Sequence, residues 1–291
     1  MDVRRRGDER GGSGLRSGAV LAMLPCVIFL LVVYALPVAQ MLQLSVMGPE
    51  GPTLTHLGAA TTDPLYVRVL FVTLKWSVLV TVLCLALGYP VAWLLTTAGP
   101  RARTLVMLCV ALPFSMSLLV RTYAWMILLG RRGVVNSVAL ALGLVDAPLP
   151  LLNNTFAVIV GMTQILLPFM VLSLFSTMKN IDLDLLKAAA SLGAPPSQGF
   201  WRVFVPLSLP GIGAGSLLVF MLSVGFFIVP ALLGGLGDVW IAQLIETQIN
   251  SVLDWHLASA LAMTLLAVVL VMYIAYERLL GLDALSMSGQ P

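Results

Sequence analysis

The stretch Asn180-Ile-Asp182-Leu-Asp184-Leu-Leu-Lys187-Ala-Ala-Ala-Ser-Leu-Gly193-Ala-Pro-Pro196-Ser-Gln-Gly-Phe-Trp201-Arg202-Val-Phe-Val-Pro206 separates two long apolar runs. From Asp182 or Asp184 to Leu192 the residues are good helix formers with an acidic start, which suits the positive end of a helix dipole. Leu185, Ala189 and Leu192 recur at i, i+4 and i+7, giving a short apolar face. Gly193 is placed to end this helix, and Pro195 and Pro196 bar its continuation. A second turn from Pro196 to Trp201 then leads into the next run, kinked at Pro206 and Pro210. The spacing predicts a helix–glycine–helix elbow, a rigid knob whose apolar stripe suits a groove in another protein.

The surroundings of this elbow are membrane. Of 291 residues, 59% are hydrophobic and 10% charged, against roughly 25% charged in an ordinary soluble domain. A globule of this size could not hide so much apolar surface, which excludes a soluble enzyme. A net charge of +3 with no long basic run excludes a nucleic-acid binder. A hydrocarbon core about 30 Å thick needs roughly 20 apolar residues of helix. Six runs qualify: Ala19–Leu44, Phe71–Thr97, Thr104–Leu129, Thr155–Met178, Val203–Leu233 and Leu257–Leu279. The first is far longer than the roughly 7–15-residue core of a secretory signal, so it reads as an uncleaved helix. The expected fold is therefore an all-α polytopic membrane protein with six transmembrane helices.

Orientation follows from the flanking Lys and Arg residues. With the N-terminus inside, Arg4, Arg5, Arg6, Arg10, Arg16, Arg101, Arg103, Lys179, Lys187, Arg202 and Arg278 are cytoplasmic, and only Arg68, Arg131 and Arg132 are external. Both termini are expected in the cytoplasm, with a basic tail at 1–18, a permease domain at 19–280 carrying the elbow at 180–202, and a second tail at 281–291. The expected outer loops are Met47–Val69, Gly130–Asn154 and Gly234–His256.

The elbow resembles the EAA loop of permease subunits of ATP-binding-cassette importers. That pattern is Glu-Ala-Ala, three residues, Gly, nine residues, then Ile-x-Leu-Pro; here Lys187-Ala188-Ala189, Gly193 and Val203-Phe204-Val205-Pro206 stand at those spacings. Lys187 replaces the usual Glu. Leu87-Gly88-Tyr89-Pro90-Val91-Ala92-Trp93, Val120-Arg121-Thr122-Tyr123-Ala124-Trp125 and Leu167-Pro168-Phe169-Met170 resemble the spermidine/putrescine permease branch. The resemblance implies the type I importer permease fold in a bacterial inner membrane, with the elbow as the helix that couples to an ATPase. Leu185, Lys187, Ala188, Ala189, Leu192 and Gly193 are then the coupling residues, and Lys187 predicts a compensating acid on the ATPase. The implied partners are two ATPase subunits, a second permease subunit that is a relative of this one, an extracytoplasmic solute-binding protein and the lipid bilayer. The implied cofactors, ATP and Mg, belong to the partner ATPase and none to this chain, which has no GxxxxGK[ST] phosphate loop.

Candidate path residues are Arg121, Tyr123, Trp125 and Phe226. Arg121 costs a few kcal/mol near the bilayer centre unless it faces water or a partner. On a straight third span it would lie about two-thirds of the way across, either holding outer helix ends or lining the path. Lys75, about one turn inside the outer end of the second span, is expected to extend to the interface. Trp93, Trp125, Trp201, Trp240 and Trp255 fall near span ends, as an interfacial belt would. Cys26, Cys84 and Cys109 read as packed, inert thiols, and His56 and His256 lack metal-site company.

Cargo is less legible. A polyamine wants carboxylates and aromatic faces, yet no acid occurs between Pro64 and Val145 or between Leu185 and Gly237. The outer acids are Glu50, Asp63, Asp146, Asp238, Glu246 and Asp254; Asp238, Glu246 and Asp254 share the last outer loop as a candidate acidic cluster. The resemblance points to a polyamine or related small organic cation. An anion or zwitterion such as a phosphonate, sulfate or amino-acid derivative stays open, with Arg121 on its route. An intramembrane enzyme is disfavoured because the spans hold only Lys75, Arg121 and the terminal Glu277 and Arg278 as charges. No catalytic, cofactor-binding or metal site is expected.

Overall fold

The computed structural model describes residues 11–48, 51–235 and 237–280. The expected C-terminal tail 281–291, residues 1–10 of the N-terminal tail with four of its arginines, and Glu50 lie outside the described residues. The first helix, α1, runs Gly11–Val46 and so takes in the last residues of the expected 1–18 tail. A short antiparallel hairpin follows, β1 (Met47–Gly48) paired with β2 (Gly51–Pro52), then α2 (Thr55–Thr62) and α3 (Pro64–Thr97). Asp63 starts α3: its carboxylate accepts from Leu65 N at 2.8 Å with Pro64 in the first turn, which fills one of the orphan donors of a helix end. The second span is therefore seven residues longer than the hydropathy run, and Lys75 lies about three turns inside α3 rather than one. It is exposed, with Nζ 4.6 Å from the Trp76 ring centroid.

The third span is not one straight helix. It divides into α4 (Pro100–Ser115) and α5 (Leu118–Leu129), followed by α6 (Val134–Ala141), and Leu118–Ala141 turns 99° from α4. The break has a local cause: Pro113 lacks an amide hydrogen, and Met116 and Ser117 are extended. Next come α7 (Thr155–Met178), α8 (Asp184–Ser191), α9 (Pro196–Gly199), a π-turn at Phe200–Phe204 and α10 (Val205–Val224). The fifth run also breaks, after Val224, into a short α11 (Ile228–Leu233). The segment expected as the last outer loop is instead α12 (Ile241–Thr247) and a π-turn at Gln248–Val252 before α13 (Trp255–Leu280). Five of these helices are long and apolar enough to cross a membrane, and six spans result when the bent pair counts as one.

The core is built around α7, which packs along both α3 and α10. Met162, Leu166, Met170, Leu174 and Met178 of α7 are fully or almost fully buried. The helices come this close because small residues face the contact: a Cβ on Gly211 would lie 2.8 Å from the Thr177 side chain. A second, smaller core joins α2, α3, α12 and α13 through Ala60, Val69, Ile241, Ala260 and Leu261. At that end Ile241 N donates to Thr73 Oγ1 at 3.0 Å. His56 and His256, 200 residues apart in sequence, stack at 5.4 Å, and His256 Nδ1 lies 3.1 Å from Leu44 O of α1. By contrast α1 leans on α13 alone along most of its length, and its side chains from Met23 to Gln40 are exposed.

Candidate functional site: the elbow and the polar middle of the membrane

The elbow forms as the spacing predicts, and its ends are closed by specific bonds. Asp182 Oδ1 accepts from Asp184 N at 2.9 Å where α8 begins. At the other end Ala194 N donates to Ala189 O at 3.0 Å and Gly193 N to Ala190 O at 2.9 Å. Gly193 has φ +84°. These two bonds and the left-handed residue between them are the Schellman terminator, which favours glycine because a side chain there strains the backbone. Pro195 O then accepts from Gln198 N and Gly199 N to begin α9. The following π-turn carries Val205 N to Phe200 O, so the chain reaches Pro206, which has no amide hydrogen, with its preceding donors satisfied.

The body holds the elbow through aromatic contacts. Trp93 of α3 meets Phe200 edge-on at 5.3 Å and Phe204 at 4.2 Å, and Tyr89 meets Phe200 at 5.9 Å. Tyr89 Oη is 2.9 Å from Ser208 Oγ, which itself donates to Val205 O, so the tyrosine donates. Arg103 closes the neighbouring end of α3, donating from Nε to Leu95 O at 2.8 Å and from Nη2 to Thr96 O at 3.2 Å. Leu183 and Leu186 pack on the core. The apolar stripe expected from Leu185, Ala189 and Leu192 is thus divided. Ala189 is half-buried, while Leu185 is 45% and Leu192 89% exposed, with exposed Ala188 and Lys187 beside them. Lys187 Nζ pairs with Asp184 Oδ1 at 2.6 Å, both side chains more than 70% exposed. That hydrogen bond and the Asp184 charge hold the ammonium above the usual lysine range, so it stays charged at any physiological pH.

In the membrane, Arg121 sits in the first turn of α5 just past the bend, not two-thirds along a straight span. Its Nε and Nη1 are shielded and have no hydrogen-bond partner among the described residues. Trp125, one turn on along the same face, donates from Nε1 to Gln164 Oε1 of α7 at 3.4 Å. Tyr123 is exposed, two residues from Arg121 and so on the other side of α5. Phe226 is half-buried at the break between α10 and α11, packed on the main core. The four candidate path residues are therefore not one site; Arg121 and Trp125 share a face, and the other two do not join them.

Gln164 was not singled out by the sequence reading, although an amide in the middle of an otherwise apolar run was the available signal. The tryptophan belt is also corrected. Trp240 is fully buried, Trp93 packs on the elbow and Trp125 on α7, leaving Trp201 and Trp255 exposed. Of the three thiols only Cys84 is buried; Cys26 and Cys109 are exposed.

The acids expected on the outer side have separate local duties. Asp238 accepts from the Thr155 hydroxyl at the start of α7. Asp254 Oδ1 accepts from Leu257 N at 2.9 Å and caps α13. Glu246 accepts from Asn250 Nδ2 at 3.0 Å on the exposed side of α12. Among the described residues no three acids, histidines or cysteines could hold a metal ion.

A bundle of membrane-crossing helices with a bonded elbow at the end where α7 passes to α10 is the architecture of a polytopic membrane protein. The chain belongs to the family of binding-protein-dependent transport system inner membrane components, which it matches over residues 85–280. It is 39% identical over 216 residues to the spermidine/putrescine transport system permease protein PotB of Escherichia coli, covering 74% of this chain and 78% of that one. It is 33% identical over 241 residues to the inner membrane ABC transporter permease protein YdcU of Escherichia coli, covering 78% and 76%. Its fold superposes on a bacterial ABC transporter involved in import of the acidic polysaccharide alginate with a TM-score of 0.77, over 91% of this chain and 96% of that one, at 18% identity. The chain is a multi-pass inner-membrane permease subunit of an ABC importer of the type I fold, a transport component and not an enzyme.

Proposed function

We propose that this permease carries a polyamine or related small organic cation across the inner membrane, with ATP and Mg held by a separate ATPase. The likeness to polyamine permeases across three quarters of the chain carries the cargo reading. The elbow carries the mechanism. Leu185, Lys187, Ala188, Ala189, Leu192 and Gly193 form the part of the elbow that meets the ATPase, with Leu185, Lys187, Ala188 and Leu192 exposed, while Leu183, Leu186 and the Trp93–Phe200–Phe204 cluster tie the elbow to α3 and α10. A push on α8 is then passed to the spans by packed contacts rather than by a loose loop. Two ATPases, a second permease related to this one and an external solute-binding protein complete the system. Both termini and the tails at 1–18 and 281–291 lie in the cytoplasm, on the elbow's side, in keeping with the Lys and Arg distribution.

One observation favours a second cargo. Arg121 leaves two guanidinium nitrogens unpartnered, and the described spans supply no carboxylate near it in sequence. An anion or zwitterion would satisfy them. The two readings separate on Arg121→Gln: loss of uptake of a phosphonate or sulfate supports the anion, and continued polyamine uptake supports the cation. Labelled spermidine uptake in cells with and without the gene is the direct test of the main reading.

A further inference from the structure

The short helix α6 is inside out for a helix at an aqueous surface. Its polar residue Asn136 is buried: Nδ2 donates to Gly130 O at 3.1 Å and to Leu149 O at 3.0 Å, and Oδ1 accepts from Leu149 N at 2.8 Å. These bonds lock α6 to the end of α5 and to the segment that follows it. The apolar residues face the other way. At about 100° per residue, Val134, Val135, Val138, Ala141 and Leu142 fall in one arc of about 120°, nearly opposite Asn136, and all are exposed. Gly143, at φ +66°, ends the helix, with Leu144 N bonded to Ala139 O and Gly143 N to Leu140 O. Leu144 beyond it is 72% exposed. Arg131 and Arg132, in the turn just before α6, are also exposed and have no ion-pair partner among the described residues. No acid stands between them and Val145.

The place of α6 in the chain indicates what covers this face. The membrane-crossing α7 separates α6 from the elbow, so the two lie at opposite sides of the bilayer. Leu118–Ala141 turns 99° from α4, so α6 does not continue in the direction in which α4 runs. Water would favour the reverse arrangement, with the valines inward and the asparagine out. The aromatic and Met anchors typical of protein interfaces are absent from 133–150. Aliphatic side chains beside two arginines match acyl chains beside phosphates.

We propose that α6, with Leu142 and Leu144, is an interfacial anchor in the leaflet away from the elbow. Its apolar arc lies among the acyl chains, and Arg131 and Arg132 bind lipid phosphates, whose oxygens the guanidinium fork fits. Because Asn136 ties α6 to Gly130 and Leu149, the anchor holds the end of α5 and the approach to α7 at the lipid surface. The bent third span then has one end fixed while its other parts move.

The test is spin labelling of the full transporter in nanodiscs of phosphatidylcholine and phosphatidylglycerol, with Cys26, Cys84 and Cys109 changed to alanine. Val138→Cys and Leu142→Cys place the label on the apolar arc, and Asp146→Cys places it on the exposed stretch beyond. Retained uptake checks each variant, and Val134→Cys reads the same arc where a label at 138 or 142 disturbs uptake. The arc labels are expected to meet oxygen, which concentrates among acyl chains, several-fold more than a water-soluble nickel chelate. The Asp146 label is expected to do the reverse. Arg131→Gln combined with Arg132→Gln is expected to lower the oxygen-to-nickel ratio on the arc. Arc labels that meet the chelate as freely as the Asp146 label overturn the anchor, because the face is then in water. Labels shielded from both reagents overturn it too, since protein then covers the face, as do labels that lose mobility when the solute-binding protein is added. An unchanged ratio in the double arginine variant overturns the phosphate contact.

Discussion

The two functional regions of this chain differ in how completely their polar groups are satisfied. At the elbow the turn that redirects the chain is closed: Gly193 and Ala194 donate to Ala190 and Ala189, Arg103 covers the last carbonyls of α3, and Tyr89 reaches Ser208. Between α5 and α7, nearer the membrane middle, Arg121 Nε and Nη1 and Thr163 Oγ1 have no partner among the described residues. Unpartnered buried polar atoms are costly, and the Arg121 guanidinium needs an acceptor, which a cationic cargo does not supply. The elbow is a closed, bonded turn, whereas α5 and α7 each keep a polar group without a partner among the described residues.

That contrast can be broken most severely at the elbow. Removal of Ala188–Gly193 is expected to abolish uptake to the level of cells lacking the gene while the protein still inserts in the membrane, measured by uptake and by membrane-fraction immunoblot. Retained ATP-driven uptake in this deletion would remove the elbow from the mechanism. Gly193→Val comes next. A β-branched residue at φ +84° costs on the order of 1–3 kcal/mol of strain. The expected result is a several-fold loss of uptake with a lower thermal midpoint in detergent.

A substitution outside the strained turn separates docking from folding. Leu192 is 89% exposed, so Leu192→Asp is expected to leave the thermal midpoint within about 1 °C of wild type, as surface changes do, yet to reduce co-purification of the ATPase. Lys187→Ala should be the mildest: its pair with Asp184 is fully exposed, and such pairs are worth little. Stability should not change, and ATPase recovery should fall only if the partner carries the expected acid.

The elbow was legible because its signals are local and chemical: an acidic helix start, a glycine at the stop and two prolines beyond it. The span count was legible for the same reason, since apolar length is a property of contiguous sequence. The bend before α5 was not, because Leu112-Pro-Phe-Ser-Met-Ser117 stays mostly apolar and hydropathy does not register direction. The outer segments held α6, α12 and a π-turn that polar residues and glycines disguised as loop. Within the acidic trio, Asp254 caps α13 and Asp238 accepts from the Thr155 hydroxyl, local duties that spacing alone does not reveal. Likewise the stack of His56 on His256 joins residues that no spacing rule relates.

Cargo identity is the claim on which the rest depends, and labelled uptake in cells with and without this gene tests it most directly. The panel is spermidine, putrescine, a quaternary amine, an aminophosphonate and sulfate. Loss of the polyamines alone, with the other solutes unaffected, is the expected result. Loss of sulfate or the aminophosphonate with polyamine uptake intact would contradict it and make the free guanidinium of Arg121 the cargo contact.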